Sequence, residues 1–132
     1  MASYRVREGS VTASDSFTAL TSLYGQSTTS SVQVPAGSSA IVGMIVSVSH
    51  DSATNGAATF AVQLTGDGLT EQQTITVGSA GVDGTPASNG MTNAPFKCDV
   101  AIPVTASNQI ALAGAMDADI GTAQFSVTLV FA

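Results

Sequence analysis

Apolar and small polar residues alternate along nearly the whole chain, and no window carries a 3.6-residue apolar stripe over three or more turns. The alternation predicts strands over residues 4–13, 31–34, 40–50, 58–65, 72–77, 97–104, 109–115 and 121–131. Residues 16–24, with Phe17, Leu20, Leu23 and Tyr24, fit either a short helix or a further strand. The last strand is the plainest. Phe125, Val127, Leu129 and Phe131 share one face while Ser126 and Thr128 take the other, the mark of a half-buried strand in an antiparallel sheet. In the 40–50 strand, Ile41, Gly43 and Ile45 lie on one face and Val42, Met44, Val46 and Val48 on the other. Apolar residues on both faces predict a central strand buried on two sides.

Turn chemistry punctuates these segments. In Pro35-Ala36-Gly37-Ser38 the proline fixes its own φ and the glycine permits a positive one. Asn55-Gly56 between apolar alternations reads as a hairpin turn, Gly66-Asp67-Gly68 as another turn, and residues 117–121 as the closure of a last hairpin. The longest irregular piece spans residues 78–95, with Gly78, Gly81, Gly84, Pro86, Asn89, Gly90 and Pro95, and loops of that length are commonly functional or flexible. About eight short strands with no intervening helical pattern predict an all-β fold, a two-sheet antiparallel sandwich, with the jelly roll first and an immunoglobulin-like sandwich second. True immunoglobulin domains carry a Cys and Trp framework, and this chain has no tryptophan. A length of 132 residues fits a single domain, residues 1–132, that can enclose a core without disulfides or metal.

Composition narrows the function. Charged residues are 9% of the chain, against about 25% in a typical soluble domain. Ser, Thr, Asn, Gln and Gly carry the polar share, so a neutral, hydroxyl-rich surface is expected. The cations are Arg5, Arg7 and Lys97, and the net charge is −6. Direct nucleic-acid binding, which needs a stripe of Lys and Arg on the phosphates, is not expected, nor is attachment to an anionic membrane. The start, Met-Ala-Ser-Tyr-Arg-Val-Arg, has no apolar signal-peptide core, and the apolar run at residues 40–48 is far short of a bilayer span. Cys98 is the single cysteine and is read as a small buried hydrophobe. No Asn lies in an N-glycosylation sequon.

The chemistry-bearing residues are few. The single histidine is His50, and Asp51 beside it points to the opposite face of a strand, so it is badly placed to orient the imidazole. No nucleophile elbow and no phosphate loop occurs. No catalytic residue is assigned, and the chain is not expected to be an enzyme. One His and one Cys cannot fill a zinc site. Calcium prefers carboxylate and carbonyl oxygens, so the one cofactor left open is a calcium ion at Asp117 and Asp119, with Asp67 and Glu71 as a lesser pair. Isolated acids at turns more commonly cap the turn. Seven aromatics without a tryptophan, Tyr4 and Tyr24 among them, make a poor platform for sugars, and each tyrosine is expected in the core or at a contact.

Scarce charge also leaves sheet edges unguarded, because lysines, inward charges and prolines are the usual protection against pairing with another chain. Assembly with further copies is therefore favoured over a lone monomer. The stretch Ser31-Val32-Gln33-Val34-Pro35-Ala36-Gly37-Ser38-Ser39-Ala40-Ile41-Val42-Gly43-Met44-Ile45, the loop-rich middle, and the terminal pair from Gln109-Ile110-Ala111-Leu112 to Val127-Thr128-Leu129-Val130-Phe131 resemble small jelly-roll structural proteins of viruses, of the capsid, cement or head-decoration type. The resemblance covers most of the chain and carries no site residue with it. It implies a virion structural protein, a minor capsid or decoration subunit made in the host cytoplasm without export and assembled in many copies, with itself and other capsid proteins as partners. The alternatives are a lectin-like carbohydrate- or receptor-binding module, using the 78–95 loop and the Asp117/Asp119 turn, and a subunit of an extracellular β-rich filament.

Overall fold

A computed structural model describes residues 2–11, 16–21, 29–51, 56–82, 89–91, 96–117 and 122–132. Ten strands follow one another: β1 (Ser3–Val11), β2 (Thr18–Ala19), β3 (Ser31–Gln33), β4 (Ala40–Asp51), β5 (Gly56–Thr65), β6 (Gln73–Val82), β7 (Asn89–Met91), β8 (Phe96–Pro103), β9 (Gln109–Met116) and β10 (Thr122–Phe131). They form two five-stranded antiparallel sheets. One runs β1-β10-β4 and then β7 and β8, which both pair with β4; the other runs β6-β5-β9 and then β2 and β3, which both pair with β9. β2 with β3, and β7 with β8, each occupy one strand position in two pieces. The ten strands thus fill eight positions of a jelly-roll sandwich, the expected fold.

Between those positions the chain changes sheet at every connection except β5 to β6. That overturns two expected hairpins. Residues on either side of Asn55-Gly56 belong to β4 and β5, which lie in different sheets, and β9 and β10 on either side of 117–121 are likewise unpaired. Residues 52–55 and 118–121 lie outside the described residues, and the pairing of the strands that flank them is set by core packing. The β5–β6 hairpin is real, with Gly66 at φ +117° in its loop. Gly37 also takes the expected positive φ, and Ser38 N–H closes that turn on the Pro35 carbonyl at 3.1 Å.

One open reading is decided and another changes. Residues 16–24 contribute a two-residue strand, Thr18–Ala19, followed by Leu20, whose N–H donates to the Leu112 carbonyl at 3.0 Å and whose side chain is buried. No helix forms over the described part of this segment. The 78–95 stretch is not one loop: β6 continues to Val82 and Asn89–Met91 pairs with the end of β4, while 83–88 and 92–95 lie outside the described residues.

The core lies between the sheets. β10 gives Phe125, Val127, Leu129 and Phe131, as the alternation predicted; β4 gives Met44, Val46 and Val48; β5 gives Phe60, Val62 and Leu64; and β9 gives Ile110, Leu112 and Met116. Each large side chain so buried contributes about 1.5–3 kcal/mol. Phe60 and Phe125 meet across the sheets edge to face, 5.6 Å between ring centres, and Gly114 leaves room for the Phe125 ring, which a Cβ there would meet at 3.0 Å. β4 is central in its sheet but buried on one side only. A bulge at Val42, where the β10 register passes from Val130↔Gly43 to Phe131↔Ile41, lets Ile41 and Met44 both face the core although they are three residues apart. Val42 is the extra residue and stands 42% exposed.

Candidate functional site

Of the residues expected to hold an ion, Asp117 and Asp67 lie at turns with their carboxylates bonded to backbone N–H groups. Asp117 follows β9; its carboxylate accepts the Thr59 N–H at 2.7 Å, while its own N–H donates to the Thr59 carbonyl at 3.1 Å. The acid therefore extends the β5–β9 ladder by one step. Asp119, its expected partner, lies outside the described residues. Asp67 plays a similar part in the β5–β6 turn, its carboxylate accepting the Gln109 N–H and its carbonyl the Asn108 side-chain amide, each at 3.1 Å. Glu71 is exposed beyond that turn, where its carbonyl accepts the Gln73 amide at 3.3 Å. Among the described residues no three His, Cys, Asp or Glu gather in one place.

His50 is held in the sheet through its backbone, paired with Ala123 on one side and Gly90 on the other. The side chains of His50 and Cys98, and all of Tyr24, lie outside the described part of the structure.

Among the described residues two shallow depressions are present. One, of ≈ 190 Å³, lies on the outward face of the β5–β9 sheet, where Thr59, Ala61, Ala115 and Asp117 form a floor beside Phe17, which is 40% exposed. It offers a single aromatic ring and a carboxylate already engaged with Thr59. The other, of ≈ 210 Å³, opens at one flank of the sandwich and is lined by Thr70, Glu71, Gln73, Ile102 and Pro103.

Of the three large apolar side chains exposed among the described residues, Tyr4 and Val42 lie on the outer face of the other sheet. Register places Tyr4 beside Val130 and Gly43, and Val6 beside Thr128 and Ile45. With the bulged Val42 these side chains form a contiguous patch at one end of the sheet, in which Tyr4 is 59% exposed. Tyr4 is thus outside the core. The rest of the face is hydroxyl-rich, with Ser10, Ser47, Ser49 and Ser126 in neighbouring rows.

Arginines close the near edge in a way that residue counting missed. Val11 packs inward opposite Ala123, so strict alternation along β1 turns Arg5 and Arg7 toward the gap between the sheets. Arg7 is half-buried, and its guanidinium donates to the carbonyls of Val6 at 2.9 Å, Thr29 at 3.1 Å and Ser31 at 2.8 Å. It ties the edge strand of one sheet to the chain entering β3 of the other. Arg5 donates to the Tyr4 carbonyl at 2.9 Å. Inward-facing charge is a recognised guard of an edge strand, so the expectation of unguarded edges fails at β1.

No protein-family model matches the sequence. No curated protein matches it either. Among solved structures, Eiger TNF from S. frugiperda overlaps 98% of this chain and 90% of its own, at 9% identity and a TM-score of 0.47. The infectious bursal disease virus Gx strain structure overlaps 98% of this chain and 31% of the viral one, at 15% identity and a TM-score of 0.48. TmCBM61 in complex with β-1,4-galactotriose overlaps 97% of this chain and 87% of its own, at 14% identity and a TM-score of 0.39. The fold assignment rests on the strand order described above, and this chain spans about a third of the viral chain it overlaps.

Proposed function

We propose that this protein is a structural subunit of a virion, a minor capsid or decoration protein that acts by packing against further copies and neighbouring shell proteins, with no catalysis of its own. The observation that carries this reading is the outward patch of Tyr4, Val6, Val42, Ile45 and Val130 on an otherwise hydroxyl-rich face. A bulge that turns a valine out of the core at a cost in burial has a physical return when another surface covers it. Supporting it, the acids described in detail serve backbone N–H groups at turns, which is what a rigid scaffold requires. Scarce charge suits surfaces that are buried on assembly, since interface cores are depleted in charged residues.

The test is the mass of the purified protein in solution across a hundredfold concentration range, together with Tyr4→Lys and Val42→Lys. The reading expects association that strengthens with concentration and is weakened by either lysine while thermal unfolding is little changed, because both side chains are exposed. A wild-type protein that stays monomeric at millimolar concentration and binds no particle would refute it.

A further inference from the structure

We propose that two copies of this chain pair through the edge of β6 with which no described strand pairs, antiparallel and about a twofold axis at Thr74, joining their β6-β5-β9 sheets into one continuous sheet. The inference rests on the reading above that the protein works in an assembly, and it names the surface.

Among the described residues, each exposed strand position in the sandwich other than the first half of β6 carries a device that discourages pairing. β1 has Arg5, Arg7 and Glu8; β8 has Lys97 and Asp99 and ends on Pro103; β2, β3 and β7 are two or three residues long. β6 is ten residues long, Gln-Thr-Ile-Thr-Val-Gly-Ser-Ala-Gly-Val, with no charge and no proline. It pairs with β5 on one side, and among the described residues no strand pairs with its other side. A bulge does interrupt it: Phe60 pairs with Gly78 and Ala61 with Thr76, which leaves Val77 unpaired. Since a bulge ends regular pairing locally, the usable edge is the straight stretch that precedes it, Gln73 to Thr76.

Geometry then fixes the register. A twofold axis perpendicular to a sheet keeps each residue on its own face, so directly opposed residues must have the same parity. Thr74 and Thr76 face outward and are exposed, whereas Gln73 and Ile75, which pair with Gln63's neighbours Leu64 and Val62, turn toward the sandwich. With the axis at Thr74, the two Thr74 side chains meet, a favourable cross-strand pair, and the second copy's Ile75 lies opposite Gln73. Gln73 lines the ≈ 210 Å³ depression with Thr70, Glu71, Ile102 and Pro103. The second copy's Ile75 is thereby placed over a hollow in which Ile102 and Pro103 offer apolar contact, and by symmetry the hollow of the second copy receives Ile75 of the first. A charged edge would set like charges against each other under the same symmetry; the neutral β6 edge is free of that cost.

The experiment compares the wild-type protein with Thr74→Lys, Gln124→Lys and Thr74→Cys by sedimentation velocity and non-reducing electrophoresis. Gln124 is exposed on the outer face of the other sheet and serves as the control. Thr74→Lys opposes two lysines on the axis and is expected to weaken dimer formation roughly tenfold or more with an unchanged melting temperature, and Gln124→Lys to leave it intact. Thr74→Cys is expected to form a disulfide-linked dimer under mild oxidation that the wild type, with Cys98 alone, does not. An oligomeric wild type whose association is unaffected by Thr74→Lys, and whose Thr74→Cys variant fails to cross-link, overturns the β6 pairing and leaves the assembly reading standing. A strictly monomeric wild type overturns both.

Discussion

Arg7 offers a quantitative test of how the two sheets are held together at the β1 edge. Arg7→Met keeps most of the aliphatic stem and removes the guanidinium, and with it the donors to Thr29 and Ser31 in the chain entering the opposite sheet. Hydrogen bonds from a charged group contribute about 1.5–3 kcal/mol each, and partial exposure puts these at the lower end. The third bond, to Val6, is local and adds little to the tie between sheets. Methionine regains part of the loss through apolar contact, so the net destabilisation is about 2–3 kcal/mol. Arg7→Lys should lose about half as much, because an ammonium can serve one carbonyl well but lacks the planar fork that spans both. For a chain of this size, 1 kcal/mol moves the melting temperature by roughly 4 °C. Urea unfolding followed by circular dichroism, at a concentration below that of association, measures the difference. A change below about 0.5 kcal/mol for Arg7→Met, or equal effects of Met and Lys, would refute the claim that the guanidinium bridges the sheets.

Gly66→Ala combines a φ of +117° with a Cβ that would stand 2.6 Å from the Gln109 carbonyl oxygen, a backbone atom that cannot swing aside. A loss of about 2 kcal/mol or more in thermal unfolding is expected, against a negligible change for Gly37→Asn, whose Cβ meets nothing and whose residue type tolerates positive φ. Asp117→Ala removes the acceptor of the Thr59 N–H and should cost about 1 kcal/mol. Measured with and without millimolar calcium, that cost should be the same if the carboxylate serves the ladder alone; a calcium-dependent difference would show that it also holds an ion.

How much of this was legible in the sequence differs from element to element, for physical reasons. Period-2 alternation in Phe125 to Phe131 reports a strand with one dry face, because each inward residue loses water as its neighbours gain it, and the structure places those residues in the core. Proline and glycine chemistry located the turns at residues 35–38 and 66–68, since φ is a local property. What a turn joins is not local. The strands on either side of Asn55-Gly56 and of residues 117–121 lie in opposite sheets, because burying two apolar faces against each other outweighs the local preference for a hairpin. The same holds for the candidate ion ligands: acid type and spacing suggested a shell, and tertiary pairing put the Asp117 carboxylate on the Thr59 N–H.

The phase of a strand shows the division most clearly. In Tyr4-Arg5-Val6-Arg7 the residues alone favour Tyr4 and Val6 as the buried face, since burying a guanidinium in preference to an isopropyl group is unfavourable in isolation. Pairing with β10 sets Val11 against Ala123 and Gly9 against Phe125, and strict alternation then carries the arginines inward and Tyr4 out. The neighbouring carbonyls of Thr29 and Ser31 make that inversion tolerable for Arg7. Composition and alternation determined an all-β chain with few chemistry-bearing residues; register, bulge and sheet order decided which way the β1 arginines turn and which apolar residues face outward. Those are properties of pairings between distant residues, which no local pattern encodes.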